Sequence, residues 1–124
     1  MRITAEEVES LVRRYYRLVD AGDMSLLETF HHDATYKRPG YDQFRGQRAL
    51  REFYSGERII ESGTHTISQL MVSGPHAAVE GRFTGILKDG RSVEVAFSDF
   101  FDLTDREGEV RIAHRRTYFD DQQV

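Results

Sequence analysis

Residues 91–103 read R-S-V-E-V-A-F-S-D-F-F-D-L. Taken two at a time, Val93, Val95, Phe97, Asp99, Phe101 and Leu103 share one face, while Ser92, Glu94, Ala96, Ser98 and Asp102 fall mostly on the other. This is the period of a strand with one apolar side. Asp99 interrupts the apolar row with a carboxyl. An unpaired charge there is costly, so the group is either protonated or held by hydrogen bonds. A buried acid of this kind is a candidate functional group. Bonding to a nearby backbone group or arginine, which would only fix the strand, is an equally open reading.

Working outward, the spacing predicts further strands over Thr64–Val72, His76–Leu87 and Glu109–Phe119, separated by Ser73-Gly74-Pro75, Asp89-Gly90 and Asp105–Gly108. Asp-Gly between two alternating runs marks a tight antiparallel hairpin. A short strand over Ala34–Lys37 is expected to stop at Arg38-Pro39-Gly40, because proline cannot donate to a ladder. Before it, Thr4 and Glu7 form a capping box, and Val8, Leu11, Val12, Tyr15, Leu18 and Val19 recur at helical spacing up to Asp20. Asp23 can cap a short second helix over Met24–Phe30. A third, from Gly46 to about Arg58, turns Leu50, Phe53 and Tyr54 to one side. Three N-terminal helices followed by a meander predict an α+β architecture: helices packed on a strongly curved, mixed but mainly antiparallel sheet, forming a conical cavity.

The 124 residues suit one domain, spanning 1–124. The net charge of −4 argues against nucleic acid as a partner, because that contact needs clustered positive charge. With no cysteine, disulfides and thiolate chemistry are excluded. Met1–Leu11 is charged and capped like a helix, and no apolar run is long enough for a bilayer, so neither signal peptide nor membrane partner is expected and the chain reads as cytoplasmic. No metal site is expected either. His31 and His32 are adjacent and should diverge, and no metal-ligand spacing, phosphate loop or dinucleotide fingerprint accompanies them.

Three passages, Tyr15–Asp23 (Y-Y-R-L-V-D-A-G-D), Asp33–Tyr54 and Ser98–Leu103 (S-D-F-F-D-L), resemble the nuclear transport factor 2-like superfamily, in particular its ketosteroid isomerase and SnoaL-like polyketide cyclase branches. The resemblance implies that Tyr15 matches the tyrosine that binds a dienolate oxygen, Asp99 its protonated partner, and Tyr54 a tyrosine supporting the first. It also exposes a departure. Where ketosteroid isomerase carries a general-base aspartate before a proline, this chain has Arg38 before Pro39, and arginine is no ordinary proton acceptor. Arg38 either contacts an anionic or enolate-bearing substrate or points outward at a strand end. The Arg-x-Asp pair of limonene epoxide hydrolase is replaced here by Glu80-Gly81-Arg82, on the polar side of its strand.

A histidine could replace the missing base, and His65 is the first candidate, with a strand-edge position bonded to solvent as the alternative. On the last strand Val110, Ile112, His114, Arg116 and Tyr118 share a face in strict alternation. That register would turn His114 and Arg116 toward the pocket and set Arg116 against Asp99. The expectation is then a cofactor-independent isomerase, cyclase or dehydratase acting on a hydrophobic carbonyl-bearing or polyketide-like molecule. Tyr15, Asp99 and His65 would be its catalytic residues, and Arg38, Tyr54, His114, Arg116 and Phe97 would bind substrate. The alternative is a noncatalytic ligand-binding protein or dimeric scaffold. Phe100, Ala96 and Ala113 suggest a homodimer seam on the outer sheet face.

Overall fold

A computed structural model describes residues 3–121; Met1 and Arg2, the start of the stretch read as lacking a signal peptide, lie outside it, as do residues 122–124. Helix α1 (Ala5–Asp20) begins at the expected capping box, with the Glu7 N–H donating to Thr4 Oγ1 at 3.1 Å and the Thr4 N–H to Glu7 Oε1 at 3.0 Å. Its buried stripe is Val8, Val12, Tyr15, Tyr16 and Val19, so both tyrosines of the pair enter the core. The stretch expected as a second helix is a 3-10 helix over Met24–Thr29, and Phe30 already belongs to strand β1 (Phe30–Lys37). Strand β2 (Phe44–Arg45) was not legible in the sequence; it precedes α2 (Gly46–Glu52). That helix stops short of Arg58 because Phe53–Glu57 winds into a π-turn, closed by the Arg58 N–H donating to Phe53 O at 2.9 Å.

Four long strands follow: β3 (Ile60–Ser73), β4 (His76–Leu87), β5 (Ser92–Arg106) and β6 (Glu109–Phe119). The sheet runs β2-β1-β6-β5-β4-β3, with β1 parallel to β6 and every other pairing antiparallel, so it is mixed, curled and not closed. The expected row of β5 is buried, from Val93 through Leu103. Helix α1 lies over β3, β4 and β6. The core includes Val12, Phe30, Tyr36, Phe53, Phe101 and Ile112, all essentially without exposure. Gly81 marks close approach rather than turning: a Cβ there would sit 2.3 Å from Thr66 O.

One irregularity positions the site. Between β5 and β6 the register runs Leu103↔Ile112 and then Asp102↔His114, leaving Ala113 as an extra residue in a β-bulge. Side-chain parity on β6 therefore reverses. Ile112 points in, and beyond it Arg115 and Thr117 are buried while His114 and Tyr118 are exposed. The strict alternation that turned His114 and Arg116 inward is corrected by this single residue.

Candidate functional site

Asp99 is fully buried and stands directly opposite Thr117. Its Oδ1 accepts from the Thr117 hydroxyl; its Oδ2 accepts from the Tyr16 hydroxyl and from Arg115 Nη2 at 2.8 Å. Burial pushes the carboxyl up, but the Arg115 guanidinium together with the Thr117 and Tyr16 hydroxyls outweighs it and holds Asp99 below the ordinary carboxylate range. The acid is therefore an ionised acceptor rather than a protonated donor. Its partner is Arg115 and not Arg116, and its tyrosine is Tyr16 and not Tyr15. On Arg115, burial alone would lower the pKa, and the Asp99 charge with the surrounding tyrosines raises it well above the ordinary value.

The bonds around this pair have a direction. A guanidinium can only donate. Arg38 Nη1 donates to the Tyr36 hydroxyl at 3.3 Å, which meets Thr117 Oγ1 at 3.0 Å. Because the Thr117 hydrogen goes to Asp99, Tyr36 is the donor between them. On the other side Arg115 Nη1 donates to the Tyr54 hydroxyl at 3.3 Å, and Tyr54 lies 2.5 Å from the Tyr15 hydroxyl. Tyr54 can then donate to Tyr15, leaving the Tyr15 hydrogen free for a ligand. Burial raises the pKa of Tyr15 and Tyr16 well above the ordinary phenol value and also raises that of Tyr54, so all three are neutral hydroxyls.

His65 lies at the same cavity. Its Nδ1 is 2.6 Å from Asp20 Oδ1, and its backbone N–H donates to Asp20 Oδ2 at 2.9 Å. Its ring packs on Tyr16, Phe83 and Phe97. Burial lowers the His65 pKa, with Asp20 opposing, so the ring is neutral near pH 7. With Nδ1–H donating to Asp20, Nε2 carries a lone pair and takes no hydrogen bond among the described residues.

The inner cavity is about 20 Å³, room for about one water molecule. Tyr15, Tyr54, Asp99, His65, Arg38 and Phe97 all line it, so it gathers six of the eight residues singled out from sequence. His114 and Arg116 do not. His114 is exposed and bonds Thr35, and Arg116 pairs with Asp102 at 3.1 Å on the outer face. Sequence reasoning missed Tyr16, Arg115, Thr117, Tyr36, Asp20 and Arg58. A larger cleft of about 340 Å³ adjoins the cavity, and Tyr54, Arg58 and Ile60 line both.

Away from the cavity, His31, His32 and Asp33 bring ligand atoms within 4.8 Å of one another. His31 Nδ1 accepts the Asp33 N–H, and Arg106 approaches Nε2 at 3.2 Å. Burial and the Arg106 charge both lower its pKa. A second cation fits poorly beside that guanidinium.

This curled sheet with helices over a polar-floored cavity defines the nuclear transport factor 2-like, ketosteroid isomerase-like class. Residues 12–114 match the model of the SnoaL-like domain, and the chain belongs to that family. Among solved structures it is similar to SalBIII, an epoxide hydrolase/cyclase-like enzyme of pyran ring formation in the polyether salinomycin, at 26% identity over 92% of this chain and 91% of that one, TM-score 0.78. A ketosteroid isomerase-like protein from Erwinia carotovora atroseptica SCRI1043 is 20% identical over 92% and 94%, TM-score 0.74. TerC, co-crystallised with polyporic acid, is 16% identical over 91% of each chain, TM-score 0.77. No curated protein matches the chain. Among the described residues no helix is long and apolar enough to cross a membrane.

Proposed function

We propose that the chain is a cofactor-independent acid–base enzyme of the isomerase, cyclase or dehydratase type, acting on a small carbonyl-bearing molecule whose polar end enters the inner cavity. The observation that supports it most is the Asp20–His65 pair: a neutral imidazole, oriented through Nδ1, whose Nε2 is free beside the hydroxyls and guanidiniums of the cavity. Nε2 takes a proton from the carbon next to the carbonyl. The electrons of the broken C–H bond form the C=C of an enolate, and the carbonyl pair moves onto oxygen. Tyr15 and Arg38 donate to that oxygen, while Asp99 serves as the anchor of Arg115. Return of the proton from His65 to another carbon gives isomerisation; attack of the enolate on a second carbonyl, whose oxygen takes that proton, gives cyclisation; and departure of a β-hydroxyl as water, carrying that proton, gives dehydration.

The test is deuterium incorporation from D2O into a panel of enolisable ketones and keto acids, followed by proton NMR with wild type and His65→Gln. Exchange by wild type and its loss in the variant are expected. No exchange across the panel, or an equal rate in the variant, overturns the proposal.

A noncatalytic ligand-binding protein is the second reading. It is favoured by the small inner cavity and by the complete satisfaction of the Asp99 carboxylate. Binding without exchange would identify it. In either case we propose that two copies pair through the outer sheet face, where Phe100, Tyr118 and Met71 are exposed and the first two rings meet edge to face.

A further inference from the structure

Arg38 is 6% exposed, and its guanidinium lies within 5.2–6.0 Å of the rings of Tyr36, Tyr41, Phe53 and Phe119. Among the described residues its one side-chain hydrogen bond goes to the Tyr36 hydroxyl, and its buried Nε has no partner. Arg58, half-buried at the wall between cavity and cleft, shares two of these features: its guanidinium lies over the Tyr54 ring, and among the described residues its buried Nε has no partner. Among the described residues neither has a carboxylate within ion-pair distance. The third arginine of the cavity, Arg115, is matched by Asp99. Three guanidiniums thus share one carboxylate among the residues lining the cavity.

Aromatic faces stabilise a guanidinium from above and below, but its N–H groups lie in its plane and still require acceptors. A buried cation without a counter-charge is costly, and one next to another is more so. Burial lowers the Arg58 pKa, and the nearby Arg38 charge lowers it further.

We infer that the site takes a small planar organic acid whose carboxylate is bound between Arg38 and Arg58. The acid supplies the charge and the in-plane acceptors that the described residues do not. Because the inner cavity has room for about one water, a single carboxylate oxygen enters it past Arg58, and the planar frame rests in the outer cleft against Val19, Tyr54 and Ile60. This rests on reading the cavity as the ligand site, and it assigns the substrate class for the proposed reaction.

The test is calorimetric titration with 1-naphthoate and its neutral analogue 1-naphthamide, together with NMR of the arginine Nε–Hε groups in wild type titrated with acetate, benzoate and 1-naphthoate. Naphthoate is expected to bind at least about tenfold more tightly than the amide, the share of one charge-assisted hydrogen bond, and to shift the Arg38 and Arg58 signals. Arg58→Gln and Arg38→Gln should each remove about tenfold of that affinity and so narrow the gap between acid and amide. If Arg38→Gln fails to fold, Arg58→Gln and the wild-type NMR decide. Equal affinity for acid and amide, no Nε–Hε shift with any carboxylate, or unchanged naphthoate affinity in a folded variant overturns the inference. The two proposals fail separately. Carboxylate binding without deuterium exchange sinks only the enzyme reading, and His65-dependent exchange in neutral ketones without carboxylate binding sinks only this one.

Discussion

Replacing Asp99 by Asn keeps the shape of the side chain and removes its charge. In the native protein the carboxylate has no exposure and accepts from Tyr16, Thr117 and Arg115, whose side chain is itself 5% exposed. Asparagine offers one acceptor oxygen, turns an NH2 toward the remaining donors and leaves a buried guanidinium unmatched. Removing one partner of a buried ion pair costs about 3–5 kcal/mol. For a domain of this size that corresponds to a fall in Tm of roughly 10–20 °C. Urea denaturation followed by circular dichroism at pH 7 should show the loss as a lower midpoint at unchanged slope. The double variant Asp99→Asn/Arg115→Gln should be less destabilised than the two single losses added together. The pH dependence has a definite sign. Because the folded pKa of Asp99 is held below the ordinary value of 3.8, its contribution is complete above 3.8 and disappears as pH falls through the folded value. Wild type and variant should therefore converge in acid, while Asp23, Asp89 and Asp102, lowered in both, cancel from the difference. A loss under about 1 kcal/mol at pH 7, or a gap that widens in acid, would refute the ion-pair reasoning and restore a neutral acid.

His65 should titrate below its ordinary 6.5 in imidazole NMR, since burial disfavours the charged ring, and Asp20→Asn should lower it further by removing the opposing carboxylate. Its contribution to stability is complete above 6.5 and declines as pH falls toward the folded value; a rise in Asp20→Asn would contradict the assignment. Light scattering should show a dimer that Phe100→Arg converts to a monomer, and a monomeric wild type would end the outer-face proposal.

The architecture was legible because its signals are local. The capping box, the Asp89-Gly90 turn and the alternating row of β5 each depend on a few neighbouring residues, and each appears where expected. β1 was only half legible because its register shifts between Phe30 and Thr35, which destroys the alternation a reader would look for. Tyr16 was readable and missed: Val8, Val12 and Tyr16 are successive at four-residue spacing, so the helix buries a wider stripe than the one centred on Tyr15. The Asp20–His65 contact joins residues 45 apart, and nothing in the spacing of either announces it.

The bulge at Ala113 carries the most chemistry for the least sequence. Arg115 and Arg116 are consecutive, so either parity of β6 would present a guanidinium to Asp99. Only the bulged register also brings Thr117 to the second carboxylate oxygen and, through it, connects Tyr36 and Arg38. The same register places Phe119 on the cavity wall against the Arg38 guanidinium and sends Tyr118 outward to meet Phe100. A signal was present. Ile112 and Phe119 are both apolar and seven residues apart, an odd spacing that one unbroken strand cannot put on one face. Tyr118 masked it by offering an aromatic of the other parity. One unpaired residue thus decides both which arginine neutralises the buried acid and which aromatic is left for the outer face.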